Sequence, residues 1–221
     1  MTPNQVTAAR VLAAFAAVAL FTVAPDALVV DLAAVLLTIL AIALDGIDGY
    51  LARSRGLATP LGAQLDILGD RVVENLFFTC FAVSGLISLW VPVLFFVRGT
   101  MTDFFRGQVA RAGRGGFGGN SMVETWWGRS LVASRISRGA YAAVKCVCFC
   151  YLGLLLPLRH LSATWLAGEI QHSLLVAGWV ITGAAVAFCL VRAIPVVWEG
   201  RRYFPTAGKA PNKQMAAAVI R

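Results

Sequence analysis

Residues 45–70 read DGIDGYLARSRGLATPLGAQLDILGD, and they join the end of one long apolar stretch, 28–53, to the start of the next, 62–88. The run GLATP at 56–60 interrupts the apolar pattern with a glycine and a proline, the two residues that most strongly mark turns. An acidic pair lies on each side of this break. The stretch therefore predicts a helical hairpin with carboxylates on both arms.

The composition indicates that this hairpin lies in a membrane. Of the 221 residues, 59% are apolar and 14% are charged, whereas soluble domains carry about 25% charged residues. A soluble enzyme, a disordered chain and a disulfide-stapled secreted domain are therefore excluded. Because a helix needs about 20 residues to cross the hydrocarbon core, we expect an all-α integral membrane protein with six transmembrane helices, at 5–24, 28–53, 62–88, 90–111, 131–156 and 173–198.

The basic residues predict the orientation of these helices. The chain has 19 Lys and Arg residues and a net charge of +8. They lie at the ends of apolar runs, which favours contact with anionic lipid headgroups over nucleic acid. If the N-terminus is cytoplasmic, the three opposite connections hold only Arg159. Since cytoplasmic loops carry the excess of positive charge, we expect an N-in, C-in topology, with one six-helix domain over 1–198 and a basic cytoplasmic tail over 199–221.

Three other patterns have simple interpretations. Only Arg10 precedes the core of the first apolar span and five more spans follow, so we expect a retained helix and not a signal peptide. Residues 113–119 contain G-x-G-x-x-G, but no strand precedes them, which argues against a dinucleotide site. Cys146, Cys148 and Cys150 alternate within an apolar span, and a helix would direct Cys148 away from the other two. We expect no metal cluster there.

The strongest functional signal is a group of carboxylates. Five of the 11 acidic residues fall within 45–74, although ionised carboxylates in apolar spans are costly and are therefore functional candidates. Asp45 and Asp48 are three residues apart, and Asp66 and Asp70 are four apart, so each pair shares one helical face. The turn between the helices predicts that the two faces converge near the cytoplasmic surface.

Four converging carboxylates without a local His or Cys cluster form a hard, all-oxygen site, which suits Mg²⁺ or Mn²⁺ and not zinc. Two divalent cations would neutralise the four charges, and a pair of metal ions is the usual arrangement for displacement at phosphorus. Gly49, Ala52 and Gly62 lie on or beside the acidic faces, where small residues allow helices to approach closely. Arg53 adds a planar cation suited to phosphate oxygens.

Written as a pattern, the segment is D-x2-D-G-x2-A-R-x8-G-x3-D-x3-D. At every fixed position it resembles the signature of the CDP-alcohol phosphatidyltransferases, and the six-span plan is similar to theirs. The start of the chain, Asn4-x-x-Thr7-x-x-Arg10, resembles the opening of the glycerophosphate and cardiolipin branches of that family.

The resemblance implies an enzyme that transfers a phosphatidyl group from CDP-diacylglycerol to an acceptor alcohol and releases CMP. It implies two divalent cations, Mg²⁺ or Mn²⁺, held by four aspartates: Asp45, Asp48, Asp66 and Asp70. Asp70 is also implied as the general base. The implied residues for the nucleotide and its diphosphate are Gly49, Ala52, Arg53 and Gly62, with Thr59 as a further contact. A homodimer is implied by the resemblance alone.

The acceptor site is predicted from a polar stripe on the fifth span, at Ser134, Arg138, Tyr141 and Lys145, with Arg135 beside it. Snorkelling to the interface explains basic residues near the end of a span, but Lys145 lies two to three turns inside. We expect four acceptor-binding residues: Ser134, Arg135, Arg138 and Lys145. Family members that use phosphorylated acceptors are similar in having a basic pocket, which favours glycerol 3-phosphate; inositol phosphate, serine and phosphatidylglycerol stay open.

Other interpretations are disfavoured. A divalent-cation transporter would place acidic residues near the bilayer midplane in two related halves, whereas these aspartates cluster towards one interface. A catalytically inactive homologue would not need every motif residue intact.

We expect Glu74 to pair with Arg98, Lys145 or Arg192, or to extend the active site. The Ala-, Gly- and Arg-rich composition is compatible with a bacterial plasma membrane.

Overall fold

The computed structural model describes residues 2–23, 27–54, 59–111, 125–165 and 168–203. Within these ranges the chain is helical and has no strand. The helices are α1 (Pro3–Val23), α2 (Leu28–Ser54), α3 (Pro60–Val83), α4 (Trp90–Arg111), the short α5 (Trp126–Gly128), α6 (Arg135–Trp165) and α7 (Gly168–Gly200). A π-helical turn, Arg129–Ala133, precedes α6, and a 3₁₀ turn, Arg201–Tyr203, follows α7.

The third predicted span extends too far at its C-terminal end. The helix ends at Val83 and not at residue 88, because Gly85 adopts a left-handed backbone conformation with φ of +72°. The N–H of Leu86 then donates to the carbonyl of Phe81 at 3.0 Å, which is the closing bond of a Schellman motif. At its other end α3 begins with Pro60, after Thr59, whose hydroxyl accepts the Gly62 N–H at 3.0 Å.

The fifth predicted span starts too early. Residues 129–133 form the π-helical turn, and Ser134 is extended, with ψ of 135°, before α6 begins at Arg135. Ser134 is therefore not part of a helical stripe with Arg138, Tyr141 and Lys145. Ser137 stabilises the break by donating its hydroxyl to the Leu131 carbonyl at 2.6 Å.

Within the part of the chain that the structure describes, four helices have segments long and apolar enough to cross a membrane: Asn4–Val23, Leu28–Ile47, Ile136–Leu158 and Gly168–Gly200. Many large apolar side chains on these helices are exposed; examples are Leu12, Leu36 and Val180. Such exposure is typical of membrane proteins, because lipid tails are as apolar as leucine side chains. These features indicate a membrane protein. Helices α3 and α4 are also long, at 24 and 22 residues, but both carry several charged residues.

The chain divides into two compact units. Unit 1 comprises Met1–Phe96 and Val144–Ala184. In it α1 packs against α2 and α3, and fully buried alanines allow α1 and α2 to approach closely; they are Ala14, Ala17, Ala34 and Ala41. Phenylalanine rings on α3 pack with Phe95 and Phe149, at centroid distances of 4.3 to 5.4 Å. Both sets of contacts hold α3, which carries half of the aspartate motif.

Unit 2 comprises Val97–Ala143 and Ala185–Arg221. Its described core contains Val109, Val132 and Val196, with Phe105 and Leu131 packed against them. Gly200 ends α7 against Phe105, since a Cβ at that position would lie 2.7 Å from the phenylalanine ring. This close approach requires a glycine.

Candidate metal and substrate site

Three of the four motif aspartates converge between α2 and α3 of unit 1. Asp45 lies in the second half of α2, and Asp66 and Asp70 lie one turn apart on α3. One carboxylate oxygen from each lies within 4.8 Å of the others. The i, i+4 spacing of Asp66 and Asp70 puts both on the face of α3 that meets Asp45, as expected from the sequence. Asp48 also lies on α2, but its side chain is outside the described part of the chain.

The donor set fits a hard divalent cation. It consists of carboxylate oxygens alone, which Mg²⁺ and Mn²⁺ prefer. The side chains of Asp45, Asp66 and Asp70 are 49%, 48% and 47% exposed, so hydrated ions and a substrate diphosphate can reach them. The arrangement can therefore bind a cation while leaving room for a further ligand.

A buried arginine joins this cluster. The side chain of Arg10 is 2% exposed and forms an ion pair with Asp45, another with Asp70 at 3.1 Å and a third with Asp66 at 3.5 Å. Its Nη2 also lies 3.4 Å from the backbone carbonyl of Asp66, to which it donates. No site role for Arg10 was predicted from the sequence.

The spacing Asn4-x-x-Thr7-x-x-Arg10 could have identified this side of the site. A Cβ at Gly62 would lie 3.0 Å from Oδ1 of Asn4, and a Cβ at Gly69 would lie 2.9 Å from Cγ2 of Thr7. The residues at these positions of α1 therefore face α3, and glycines on α3 make room for them. Repeated polar residues at i, i+3 and i+6 indicate one helix face in an otherwise apolar helix.

The residues expected to bind the nucleotide are only partly described. Thr59 uses its hydroxyl to cap α3, and Gly62 lies one turn later, where its missing side chain leaves space for Thr59 and Asn4. Gly49, Ala52 and Arg53 lie on the last turns of α2, but their side-chain positions are outside the described part.

Glu74 pairs with Lys145, one of the three partners expected from the sequence. The Glu74 side chain is 1% exposed, its Oε1 lies 3.2 Å from Nζ of Lys145, and its Oε2 lies 3.0 Å from Nη1 of Arg71. This group connects α3 to α6 within unit 1. The ammonium of Lys145 therefore has a carboxylate partner, which gives the lysine a structural role that its place in a polar stripe did not reveal.

Unit 2 contains a group of three arginines, Arg98, Arg138 and Arg192, which we call the arginine cluster. The guanidinium carbons of Arg98 and Arg192 lie 5.6 and 5.4 Å from the ring centroid of Tyr141, within the range of cation–π attraction. Arg98 and Arg138 both interact electrostatically with Arg192. Of the residues predicted to bind the acceptor, the cluster includes Arg138; the side chain of Arg135 is outside the described part.

Arg98 and Arg192 have polar atoms that could bind an anion. Both residues are buried, and the Nε atoms of both have no hydrogen-bond partner among the described residues. Arg192 also donates from Nη1 to the Leu131 carbonyl and to the Ser137 hydroxyl, both at 2.6 Å. These bonds hold Arg192 against the break before α6. From the sequence, both arginines were predicted only as candidate partners of Glu74.

Comparison with known families agrees with the motif. A search among curated proteins finds no significant match. A family profile described as CDP-alcohol phosphatidyltransferase matches residues 1–191, which includes the aspartate motif, Arg10 and all but the end of α7. This family consists of phosphotransferases that move a substituted phosphate group from a CDP-alcohol to an acceptor alcohol, and its members typically depend on divalent cations. The chain belongs to the CDP-alcohol phosphatidyltransferase family.

Proposed function

We propose that the protein transfers the phosphatidyl group of CDP-diacylglycerol to glycerol 3-phosphate and releases CMP. The observation that carries this proposal is the convergence of Asp45, Asp66 and Asp70 within 4.8 Å of one another, at positions fixed by the family motif. Asp48 completes the proposed ligand set. Two divalent cations bound there would neutralise the diphosphate and make CMP a better leaving group.

Other steps, namely proton transfer and substrate binding, are assigned to residues of the chain. Asp70 accepts the proton of the acceptor hydroxyl as that oxygen forms a bond to the phosphorus bearing diacylglycerol. The bond between this phosphorus and the bridging oxygen of the diphosphate breaks, and the electron pair leaves with CMP. Gly49, Ala52 and Gly62 let the nucleotide lie against the backbone, Thr59 contacts it, and Arg53 binds diphosphate oxygens. Positioning and charge neutralisation account for most of the rate in such transfers.

A phosphorylated acceptor is supported by the arginine cluster. Buried guanidinium groups are costly unless an anion compensates them, and guanidinium geometry matches phosphate oxygens. We propose that Arg138 and Arg192 bind the acceptor phosphate, with Ser134 and Arg135 beside them. Lys145 contributes less, because Glu74 already pairs with its ammonium at 3.2 Å. Inositol phosphate shares the required phosphate, whereas serine lacks it and the phosphate of phosphatidylglycerol is a diester.

We further propose six transmembrane helices, with the charged α3 and α4 as the third and fourth spans, in an N-in, C-in arrangement. The basic residues support this orientation through the excess of positive charge expected in cytoplasmic loops. The aspartates then lie at the cytoplasmic face of a bacterial plasma membrane, where lipid tails stay in the bilayer and the acceptor enters from solution. A homodimer is proposed from family membership.

The acceptor is tested by supplying candidate alcohols one at a time. Purified protein with Mg²⁺ and CDP-diacylglycerol receives glycerol 3-phosphate, inositol phosphate, inositol, serine or phosphatidylglycerol, and the lipid product is identified by mass. Formation of phosphatidylglycerol phosphate with glycerol 3-phosphate alone supports the proposal. A product with serine or inositol, and none with a phosphorylated acceptor, contradicts it.

The role of the cluster is tested with Arg138→Met. The loss of one phosphate contact is expected to raise KM for glycerol 3-phosphate by at least about tenfold, with KM for CDP-diacylglycerol nearly unchanged. Arg106→Met is a matched control, because Arg106 pairs with Asp103 at 3.5 Å on α4. Equal changes in both KM values of Arg138→Met would rule out a dedicated acceptor contact.

A further inference from the structure

The position of Arg10 suggests a function in metal binding. Its guanidinium is almost fully buried, yet all three of its ion-pair partners are half exposed. The contacted atoms are Oδ1 of Asp45, Asp66 and Asp70. Each of these residues also contributes an oxygen to the possible metal cluster. One internal cation therefore contacts the same carboxylates that a divalent ion would require.

We propose that Arg10 is the built-in counter-cation of the aspartate cluster, and that it competes with divalent ions for the carboxylates. Three carboxylates whose oxygens lie within 4.8 Å repel one another strongly when no cation lies between them. Arg10 reduces this repulsion and holds the carboxylates together before metal binds. A divalent ion must then displace or share these contacts, so Arg10 lowers the affinity of the site for metal. The inference rests on the proposed metal centre.

The residues around Arg10 leave space for its guanidinium and direct it towards the carboxylates. Gly69 makes room for it, since a Cβ there would lie 2.8 Å from Nη2 of Arg10. Nε of Arg10 is buried and has no hydrogen-bond partner in the described part of the chain. All of the guanidinium's described contacts therefore run through its two terminal nitrogens, towards Asp45, Asp66 and Asp70.

A purely structural role gives a different expectation. If Arg10 served only to attach α1 to α3, its removal would weaken folding and leave the metal affinity of the folded protein unchanged or lower. A competing cation has the opposite effect on affinity, because removing a positive charge next to a divalent site strengthens the binding of the ion. The direction of the change in affinity therefore separates the two roles.

The test measures Mn²⁺ binding to the purified full-length protein in detergent, without CDP-lipid, from the electron paramagnetic resonance signal of free Mn²⁺. Arg10→Met is expected to lower the Mn²⁺ dissociation constant by at least about tenfold and to lower the melting temperature in EDTA. Arg10→Lys keeps the charge and is expected to bind within about threefold of the wild type. Arg106→Met, which removes an arginine paired outside the cluster, is expected to leave Mn²⁺ binding unchanged.

Gly69→Ala provides a variant that keeps Arg10. Its Cβ would displace Nη2, and we expect about two- to fivefold tighter Mn²⁺ binding. If Arg10→Met does not fold, this variant decides the question. Unchanged or weaker Mn²⁺ binding in whichever variant folds overturns the proposal, and so does a wild type that binds no Mn²⁺. Failure of the proposed function is a separate result: the protein binds Mn²⁺ but releases no CMP from CDP-diacylglycerol with any acceptor.

Discussion

Replacing Lys145 with methionine tests whether this residue stabilises the fold or binds the acceptor. The change removes the ammonium 3.2 Å from Glu74 and leaves Arg71 in place, 3.0 Å from the same carboxylate. Glu74 is 1% exposed, so water cannot replace the lost contact. Methionine keeps most of the apolar length of the lysine side chain, which limits any cavity.

The expected cost follows from the burial of the carboxylate. Removing one partner of a buried ion pair costs about 3–5 kcal/mol. Because Arg71 remains, we expect Lys145→Met to lower the free energy of unfolding by about 2–4 kcal/mol. The measurement is reversible unfolding of the purified protein in mixed micelles. Arg106→Met is the control: it breaks a pair whose side chains are 23% and 31% exposed, and it should cost less than about 1 kcal/mol.

A double-mutant cycle makes the test specific to the pair. When Glu74 is first replaced by glutamine, Lys145→Met should cost at least about 1 kcal/mol less than in the wild type. The reasoning is refuted if Lys145→Met costs less than about 1 kcal/mol, or if its cost is the same with glutamine at position 74. A normal stability together with a raised KM for the acceptor would instead assign Lys145 to acceptor binding.

Two further changes test the packing of α7 and the start of α3, each by the free energy of unfolding. Gly200→Ala is expected to cost about 1–3 kcal/mol, because its Cβ would lie 2.7 Å from Cδ1 and 3.1 Å from Cβ of Phe105; a neutral result would mean that this close approach does not exist. Thr59→Ala is expected to cost about 1 kcal/mol, since it removes the hydroxyl that accepts the Gly62 N–H at 3.0 Å, and Thr59→Ser should restore most of the loss. Equal stability of the alanine and serine variants would show that the cap contributes nothing.

Local spacing predicted the convergence of Asp45, Asp66 and Asp70. Asp66 and Asp70 had to share a face of α3, because they are four residues apart on one helix. Asp103 and Arg106 on α4 are also three residues apart, and they pair at 3.5 Å. Such features depend on helix periodicity alone, so the sequence contains the information needed to predict them.

Contacts between distant helices were not predictable in this way. Arg10 lies 56 positions from Asp66; the spacing of Asn4, Thr7 and Arg10 marks one face of α1, but it does not name the carboxylates that this face contacts. The end of α3 at Val83 depended on one backbone angle at Gly85. The sequence alone does not mark this end, because Ser84 is the only polar side chain in residues 80–87. The extended Ser134 is stabilised by its neighbours: Arg192, from α7, donates to the Leu131 carbonyl.

The most direct test of the central claim is CMP release from CDP-diacylglycerol by wild-type protein and by Asp70→Asn, with glycerol 3-phosphate and Mg²⁺. We predict release by the wild type that stops in EDTA and returns when Mg²⁺ or Mn²⁺ is added in excess. Asp70→Asn should be slower by at least about 100-fold while it unfolds at a temperature close to that of the wild type. Substantial CMP release by Asp70→Asn, or release that EDTA does not affect, would contradict metal-dependent phosphatidyl transfer at the aspartate cluster.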